Sequence, residues 1–214
     1  MHKLLGAVWL AACQTTSGIP CFTLGYEHSV WALVKSPARD LITSEVTGTM
    51  AVRQDGSFAH AIQPGSRFAV RDRQTAAGPS IRIHLAAENR LIVSNKLTSG
   101  YDFRHPSLFF ADGVYRRAKD GDANCRATIA GFGKTAEPTG TATMLGEPVV
   151  TWKFQTSYGD ATASVAPGLD CQVLRFEAIE YRYHYLPVRK ELFEAKTLRR
   201  GEPAAALFTP PGGK

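Results

Sequence analysis

Apolar and polar residues alternate along much of this chain, which is the pattern of a β-strand with one buried and one solvated face. The alternation is clearest in three short runs: 67–71, 81–85 and 150–155. His84 takes a polar position in the second run, so we expect its side chain to be exposed at the surface. Because many such runs recur and helical periodicity is weak, the chain is predicted to be mainly β.

A hairpin turn is predicted where the segment QDGS at 54–57 separates two apolar runs. Glycine readily adopts the positive φ that tight hairpin turns need, and Asp-Gly is a strong signal for such a turn. Asp55 and Gly56 are therefore assigned to a turn between two antiparallel strands.

A long strand-like segment near the C-terminus indicates that the sheet is curved. Within it, Leu174, Phe176 and Ala178 share one parity, whereas Tyr181 and Tyr183 take the other. A shift of one residue near Ala178 is what a β-bulge produces, and bulges bend sheets. The predicted fold is a strongly curved antiparallel sheet or incomplete barrel, with one or two short helices.

The first residues have the features of an export signal. A short positive start precedes the apolar run Leu4–Leu10, which is far shorter than the roughly 20 residues of a membrane-spanning helix. The following stretch Leu10-Ala11-Ala12-Cys13 resembles the lipobox of bacterial lipoproteins, in which the cysteine receives a diacylglycerol group. We accordingly divide the chain into a signal peptide (1–12), a tether (13–20) and a single β domain (21–214).

Two other interpretations of this N-terminal segment stay open. It could be an ordinary secretory signal with an incidental Cys13, or a buried apolar segment of a cytosolic protein. If Cys13 is lipidated, the protein is exported and held at a membrane by its lipid. Gln14 stands where an aspartate commonly retains such lipoproteins at the inner membrane. The resemblance therefore implies a periplasmic protein that is anchored to the outer membrane.

Composition and charge fit an ordinary globular protein better than a nucleic-acid-binding one. The chain has 214 residues, of which 44% are hydrophobic and 21% charged, and its formal net charge is +6. The basic residues are scattered and no basic run alternates with aromatic residues. We therefore predict no nucleic-acid partner, and the oligomeric state stays open.

The four cysteines fit an exported protein, because disulfides persist in oxidising compartments. Cys171 follows a Pro-Gly turn and precedes a strand, and a bridge from it to Cys125 would close a loop of 46 residues. Such a loop gives about 4 kcal/mol in the chain-entropy estimate. The alternative is two buried free thiols in a cytosolic core. Cys21 is left as a free thiol, an intermolecular bridge or the partner of an unlipidated Cys13.

The sequence carries no recognisable catalytic or metal-binding motif. A Gly-x-Ser-x-Gly elbow and a Ser-x-x-Lys pair are absent, and the histidines, among them His28 and His60, lack the spacing of metal ligands. Acidic and basic residues interleave in the C-terminal strands, which favours cross-strand ion pairs over paired catalytic carboxylates. We expect a protein that is not an enzyme and holds no metal or cofactor.

Four segments in a fixed order resemble a family of small exported bacterial β-proteins: MAVRQDGSF at 50–58, TATMLGEPVVTW at 141–152, APGLDCQVL at 166–174, and the ending LPVRKELF…ALFTPPGG. The architecture of this family is similar to that of the lipoprotein carriers LolA and LolB. The resemblance implies a curved half-barrel with a cavity for acyl chains. It also implies the Cys125–Cys171 disulfide and the turn residues Asp55 and Gly56.

The predicted function is that of an exported envelope lipoprotein, a non-catalytic carrier for a lipid, an acyl chain or a lipoprotein. The residues predicted to line its apolar cavity are Trp152, Phe154, Phe176, Tyr181 and Tyr183. Arg182 and His184 are predicted to form the rim, near an anionic headgroup. The alternative for 181–185 is a strand that packs one face on the core.

A second functional hypothesis is a scaffold lipoprotein that presents loops to an envelope partner. The segment 105–124 lacks clean alternation and is predicted to form a short helix or a lid-like loop suited to this role.

Overall fold

The computed structural model describes residues 18–33, 41–65, 80–94, 123–131, 133–157, 159–183 and 186–209. This part of the chain forms ten strands: β1 Phe22–Ala32, β2 Leu41–Val52, β3 Phe58–Pro64, β4 Ser80–Leu85, β5 Arg90–Ser94, β6 Lys134–Met144, β7 Glu147–Gln155, β8 Gly159–Ala166, β9 Gln172–Arg182 and β10 Leu186–Arg200. It also contains one short helix, α1 Arg126–Ala130, and three 3₁₀ turns: Ala86–Glu88, Pro167–Leu169 and Ala205–Phe208.

All ten described strands belong to one antiparallel sheet in the order β5-β4-β3-β2-β1-β10-β9-β8-β7-β6. Two five-stranded meanders, β1–β5 and β6–β10, meet where the first and last strands pair from Phe22↔Arg200 to Ala32↔Arg189. β5 and β6 remain at opposite edges, so the sheet is open and does not close into a barrel. The predicted mainly β fold, an incomplete barrel with few short helices, is therefore confirmed.

The two faces of the sheet differ in what covers them. We call core face the one that carries the larger cluster of buried side chains, including Phe22, Leu24, Phe58, Trp152 and Phe193. Side chains alternate between faces along a strand, so register places every other residue of each strand on this face. The opposite face is called the outer face.

A short segment near the C-terminus covers part of the outer face. Phe208, in the last 3₁₀ turn, packs in a second buried cluster with Ala51, Ala59 and Ile83 from β2, β3 and β4. The guanidinium of Arg53 lies 5.0 Å from the centre of the Phe208 ring. These strands therefore carry buried side chains on both faces, although they lie near an edge of the sheet.

The β2–β3 hairpin turns where the sequence predicts it. The backbone N–H of Arg53 donates to the carbonyl of Ser57 at 2.8 Å. Gly56 has φ +83°, and the carboxylate of Asp55 accepts from the backbone N–H of Ser57 at 2.8 Å. The turn thus uses the positive φ of glycine and the local acceptor of aspartate.

The predicted register shift near Ala178 is wrong. β9 pairs without interruption from Arg175 to Glu180 with both of its neighbours. The irregularities lie elsewhere: Leu174 is the extra residue opposite β8, and Val188 is the extra residue of β10 opposite β9. The sheet therefore contains bulges beside this strand, but they do not bring the two parities of β9 onto one face.

Two cysteines form a disulfide at one end of the core face. Cys125 and Cys171 are bonded with their Cα atoms 5.5 Å apart, as predicted. The bond links the start of α1 to the start of β9, and Ile129 of α1 is fully buried beside it. Cys21 is also disulfide-bonded, to a partner outside the described residues.

Several predictions concern residues outside the described part of the chain. They include the signal peptide, lipidated Cys13, His184 and the segment 105–122. Among the described residues, no helix has the length and apolar character needed to cross a membrane.

Candidate functional site

Three of the five predicted cavity residues lie together on the core face. Trp152, Phe154 and Phe176 are buried, and the ring centres of the two phenylalanines are 6.4 Å apart. The indole N–H of Trp152 donates to the carbonyl of Asn124 at 3.1 Å, and the Arg126 guanidinium lies 5.4 Å from the indole ring centre. These residues belong to the buried core of this face, in the same cluster as the two bonded cysteines.

The other two predicted cavity residues do not share this face. Because β9 has no shift between Phe176 and Tyr181, an odd spacing puts Tyr181 on the outer face. Tyr183 lies in the turn after β9 with φ 55° and is 65% exposed. The Arg182 guanidinium, predicted at the rim, lies 5.2 Å from the Tyr183 ring centre. The five side chains therefore do not line one surface, and the prediction of a single cavity among them is corrected.

The core face also carries polar residues that the sequence analysis did not single out. Tyr26 on β1 is buried, and its hydroxyl forms a hydrogen bond with Nε2 of His60 on β3 at 2.7 Å. β2 lies between these strands, and Gly48 is the β2 residue opposite Tyr26. Because glycine has no Cβ, the phenol lies across β2 and reaches the next strand.

Burial controls the protonation of this pair. The pKa of His60 is lowered to about 3, first by burial and then by the positive charge of Arg82. Burial raises the pKa of the Tyr26 hydroxyl well above its ordinary value. At neutral pH both groups are uncharged, so a neutral hydrogen bond joins them.

A second buried pair lies where the two halves of the sheet meet. His28 on β1 and Glu191 on β10 are both buried, with Nε2 and Oε1 2.9 Å apart. Arg189 approaches Glu191 at 3.6 Å and Glu180 at 3.9 Å. The predicted cross-strand ion pairing of the C-terminal strands is thus present, and on the core face the imidazole of His28 is hydrogen-bonded to one of these carboxylates.

The β5 end of the core face has a different character. Register places Arg82 opposite Val93, and His84 opposite Leu91. We call these four residues the β4–β5 patch. Leu91 is 47% exposed and Val93 39% exposed, although both share a face with the core.

His84 within this patch overturns an expectation from the sequence. It was predicted to be exposed, but only 9% of its surface is accessible. Its imidazole stacks on the Phe58 ring with 5.8 Å between centres. Its Nδ1 is buried and has no hydrogen-bond partner, the one such side-chain atom in the described part of the protein. Alternation assigned His84 to a wet face, but register places it on the core face, where its ring packs against Phe58.

The sequence of β1 contains a signal that could have identified two of these buried polar residues. Tyr26 and His28 have the same parity as the apolar residues Phe22, Leu24 and Val30. Polar side chains on an apolar parity indicate buried polar groups that need partners. Among the described residues, no group of three His, Cys, Asp or Glu side chains could hold a metal ion.

Comparison with known proteins gives only distant likenesses. No family model and no curated protein match the sequence. A solved structure of the Pseudomonas aeruginosa MucA/MucB complex matches with a TM-score of 0.45 and 11% identity, over 89% of this chain and 55% of the matched chain. This chain therefore spans about half the length of that matched protein.

Two further solved structures match along most of their length. LprF from Mycobacterium bovis has a TM-score of 0.42 and 9% identity, over 86% of this chain and 87% of that one. A putative outer membrane lipoprotein-sorting protein domain from Vibrio parahaemolyticus has a TM-score of 0.28 and 10% identity, over 88% and 89%. A lipoprotein-sorting domain, as the resemblance in the sequence predicts, is thus among the matches. Because all three TM-scores are below 0.5, no function is transferred from these proteins.

Proposed function

We propose that this protein is an exported, non-catalytic envelope module that binds an apolar ligand, a lipid or acyl chain, on the core face of its open sheet. The observation that carries this proposal is the exposure of Leu91 and Val93 on the same face as the buried core. Exposed apolar surface that continues an apolar core can serve as a ligand-binding or interaction surface.

Register connects this exposed pair to the core. The row that begins at Leu91 continues through His84, Phe58 and Val52 to Phe22 on β1. An apolar chain that lies on the β4–β5 patch would therefore extend the core across the edge of the sheet. It would remove aliphatic surface from water, which stabilises a complex by about 25 cal/mol per Å².

Binding is tested with the purified full-length chain after removal of bound lipid on a hydrophobic resin. A fluorescent fatty acid is titrated into the wild type, into Leu91→Lys/Val93→Lys, and into the control Leu145→Lys. Leu145 is 41% exposed in the β6–β7 turn, away from the patch. We expect saturable binding to the wild type and the control, and a loss of at least about tenfold in the double variant. No saturable binding to the wild type would overturn the proposal.

We further propose that export places the protein in the periplasm, with a lipid on Cys13 as the membrane anchor. The support is the lipobox-like stretch, together with the disulfide at Cys125–Cys171. The bonded state of Cys21 opposes lipidation if its partner is Cys13, because one sulfur atom cannot form both bonds.

The scaffold hypothesis rests on 105–124, nearly all of which lies outside the described residues.

A further inference from the structure

Strand β6 forms one edge of the sheet, and its second half lacks the features that normally protect an edge. The first half is irregular, since its register with β7 shifts between Lys134 and Glu137 and again between Pro138 and Gly140. Bulges, proline and charged residues hinder an edge from pairing with another chain. From Gly140 to Met144 the pairing with β7 is regular, and this stretch, GTATM, contains no charge and no proline. We call these five residues the open edge.

The turn after the open edge fixes the hydrogen-bonding pattern of β6. Leu145 and Gly146 have φ 51° and φ 82°, and both values are positive, as a two-residue hairpin turn of the primed type requires. Met144 and Glu147 flank this turn and form a hydrogen-bonded pair. Hydrogen-bonded and non-hydrogen-bonded pairs alternate along an antiparallel ladder, so the pattern of the open edge follows from this first pair.

Thr141 and Thr143 take the non-hydrogen-bonded positions, so their backbone N–H and C=O groups point away from β7. Pro148 lies opposite Thr143, and because proline has no N–H, it fits a position that makes no bond to β6. In the described part of the chain no strand pairs with β6 on its other side, and residues 137–143 are all exposed. The open edge therefore presents two backbone donors and two acceptors to solvent.

A second copy of the open edge matches these four groups. When two copies run antiparallel about a two-fold axis at Ala142, Thr141 of each copy lies opposite Thr143 of the other. Each of these pairs exchanges two backbone hydrogen bonds, which gives four in all. No like charges meet, because the open edge is uncharged. Its small side chains offer little to select a foreign peptide, whereas the two-fold arrangement needs only the strand itself.

We propose that the open edge of β6 pairs with the open edge of a second copy of this chain, so that two sheets join into one. Five residues from each copy form a small contact, so the dimer is weak, with half of the chains paired at about 0.1 mM. The β4–β5 patch lies at the opposite edge of the sheet, so the dimer leaves it free in both copies.

Disulfide trapping in the full-length chain tests this register. Ala142→Cys places each new thiol opposite its own copy, where Cα atoms of a non-hydrogen-bonded pair are about 4.5 Å apart, within the range of a disulfide. Gly140→Cys is the matched control, because a Cβ at Gly140 meets nothing within 4 Å. Its two copies would lie about 14 Å apart along the strands, which is too far for a bond. With a mild oxidant we expect Ala142→Cys to form covalent dimer at least about tenfold faster than the control.

A charge exchange at the same position tests the contact without oxidation. Ala142→Lys and Ala142→Glu each place like charges opposite one another in the dimer, whereas a mixed dimer pairs opposite charges. At about 0.1 mM, sedimentation velocity should show dimer for the wild type, monomer for each variant alone, and dimer again for their equimolar mixture. Recovery in the mixture also shows that both variants are folded.

Three results would overturn the proposal. The first is a wild type that stays monomeric at about 1 mM, and the second is equal crosslinking of Ala142→Cys and Gly140→Cys. The third is a dimer that persists in Ala142→Lys, since the contact would then lie elsewhere on the protein. If Ala142→Cys crosslinks in the producing cell only to a different protein, the open edge receives a strand of that partner and the assignment to a second copy is wrong.

Discussion

The phenol ring of Tyr26 occupies the space where any side chain at Gly48 would stand. A Cβ added to Gly48 would lie 2.1 Å from Cζ of Tyr26 and 2.3 Å from its hydroxyl oxygen. The ring is fixed from the other side by Phe193, whose centre is 4.8 Å away, and by the hydrogen bond to His60. Glycine in the middle of a strand weakens it in general, and here its absence of a side chain permits a contact across three strands.

We predict that Gly48→Ala destabilises the protein by about 2–4 kcal/mol, because Tyr26 must move and the buried hydrogen bond to His60 is lost. Gly140→Ala is the matched control, since a Cβ there meets nothing within 4 Å. Urea denaturation of both variants measures the difference. A loss below about 1 kcal/mol at Gly48 would show that the ring is not held in this position.

We predict that His60 makes the protein less stable in mild acid. Its pKa is about 3 in the folded chain, because burial and Arg82 disfavour the imidazolium, against about 6.5 in the unfolded chain. Its contribution is fully present above pH 6.5 and is lost as the pH falls from there towards 3. The slope is about 1.4 kcal/mol per pH unit, so roughly 2 kcal/mol is lost by pH 5.

His60→Gln isolates this effect, because glutamine can still bond the Tyr26 hydroxyl but does not titrate. The free energy of unfolding is measured in urea at several pH values between 7.5 and 4.5. The wild-type value should fall more steeply than that of His60→Gln. Parallel curves would mean that His60 is protonated without cost and is not buried as the structure places it.

Local patterns gave correct predictions where local chemistry decides the structure. The Asp55-Gly56 turn depends on a few neighbouring residues, and period-two alternation reports strands whatever their neighbours are. The bulge near Ala178 was misplaced because register depends on the partner strands. A change in the alternation of apolar and polar residues along one strand does not show whether the extra residue of the bulge belongs to β9 or to the strand beside it.

The candidate site depended on contacts that are distant in sequence. His84 looked exposed because alternation assumes one wet face, but Phe208, from a segment more than a hundred residues later, covers the other face of β4. The Tyr26–His60 bond required three strands to lie side by side in one register. The sequence signal for this bond is that polar residues occupy the positions of β1 that otherwise hold apolar residues. This signal shows that the polar side chains need hydrogen-bond partners, but it does not identify those partners.

The Cys125–Cys171 disulfide is predicted to stabilise the folded chain substantially. It joins residues 46 apart in sequence, and a loop of that length corresponds to about 4 kcal/mol in the chain-entropy model. We expect Cys125→Ala/Cys171→Ala to lower the free energy of unfolding by about 3–4 kcal/mol in urea. A double variant is preferable to reduction, because a reductant would also break the bond at Cys21. An unchanged urea midpoint would contradict a structural role for this bond.

For a protein exported as proposed, the state of Cys13 decides whether a lipid anchors it, and intact mass measures that state directly. We predict that the full-length gene product, expressed in a bacterium, loses residues 1–12 and gains a covalent diacylglyceryl group, and that Cys13→Ser gains none. A lipidated Cys13 cannot bond Cys21, so Cys21 should then react with a thiol reagent or join two chains. A mature mass without lipid and without reactive thiols would instead show a Cys13–Cys21 disulfide and an exported protein with no anchor. An uncut chain would overturn the export proposal itself, because residues 1–12 would then act neither as a lipoprotein signal nor as an ordinary secretory signal.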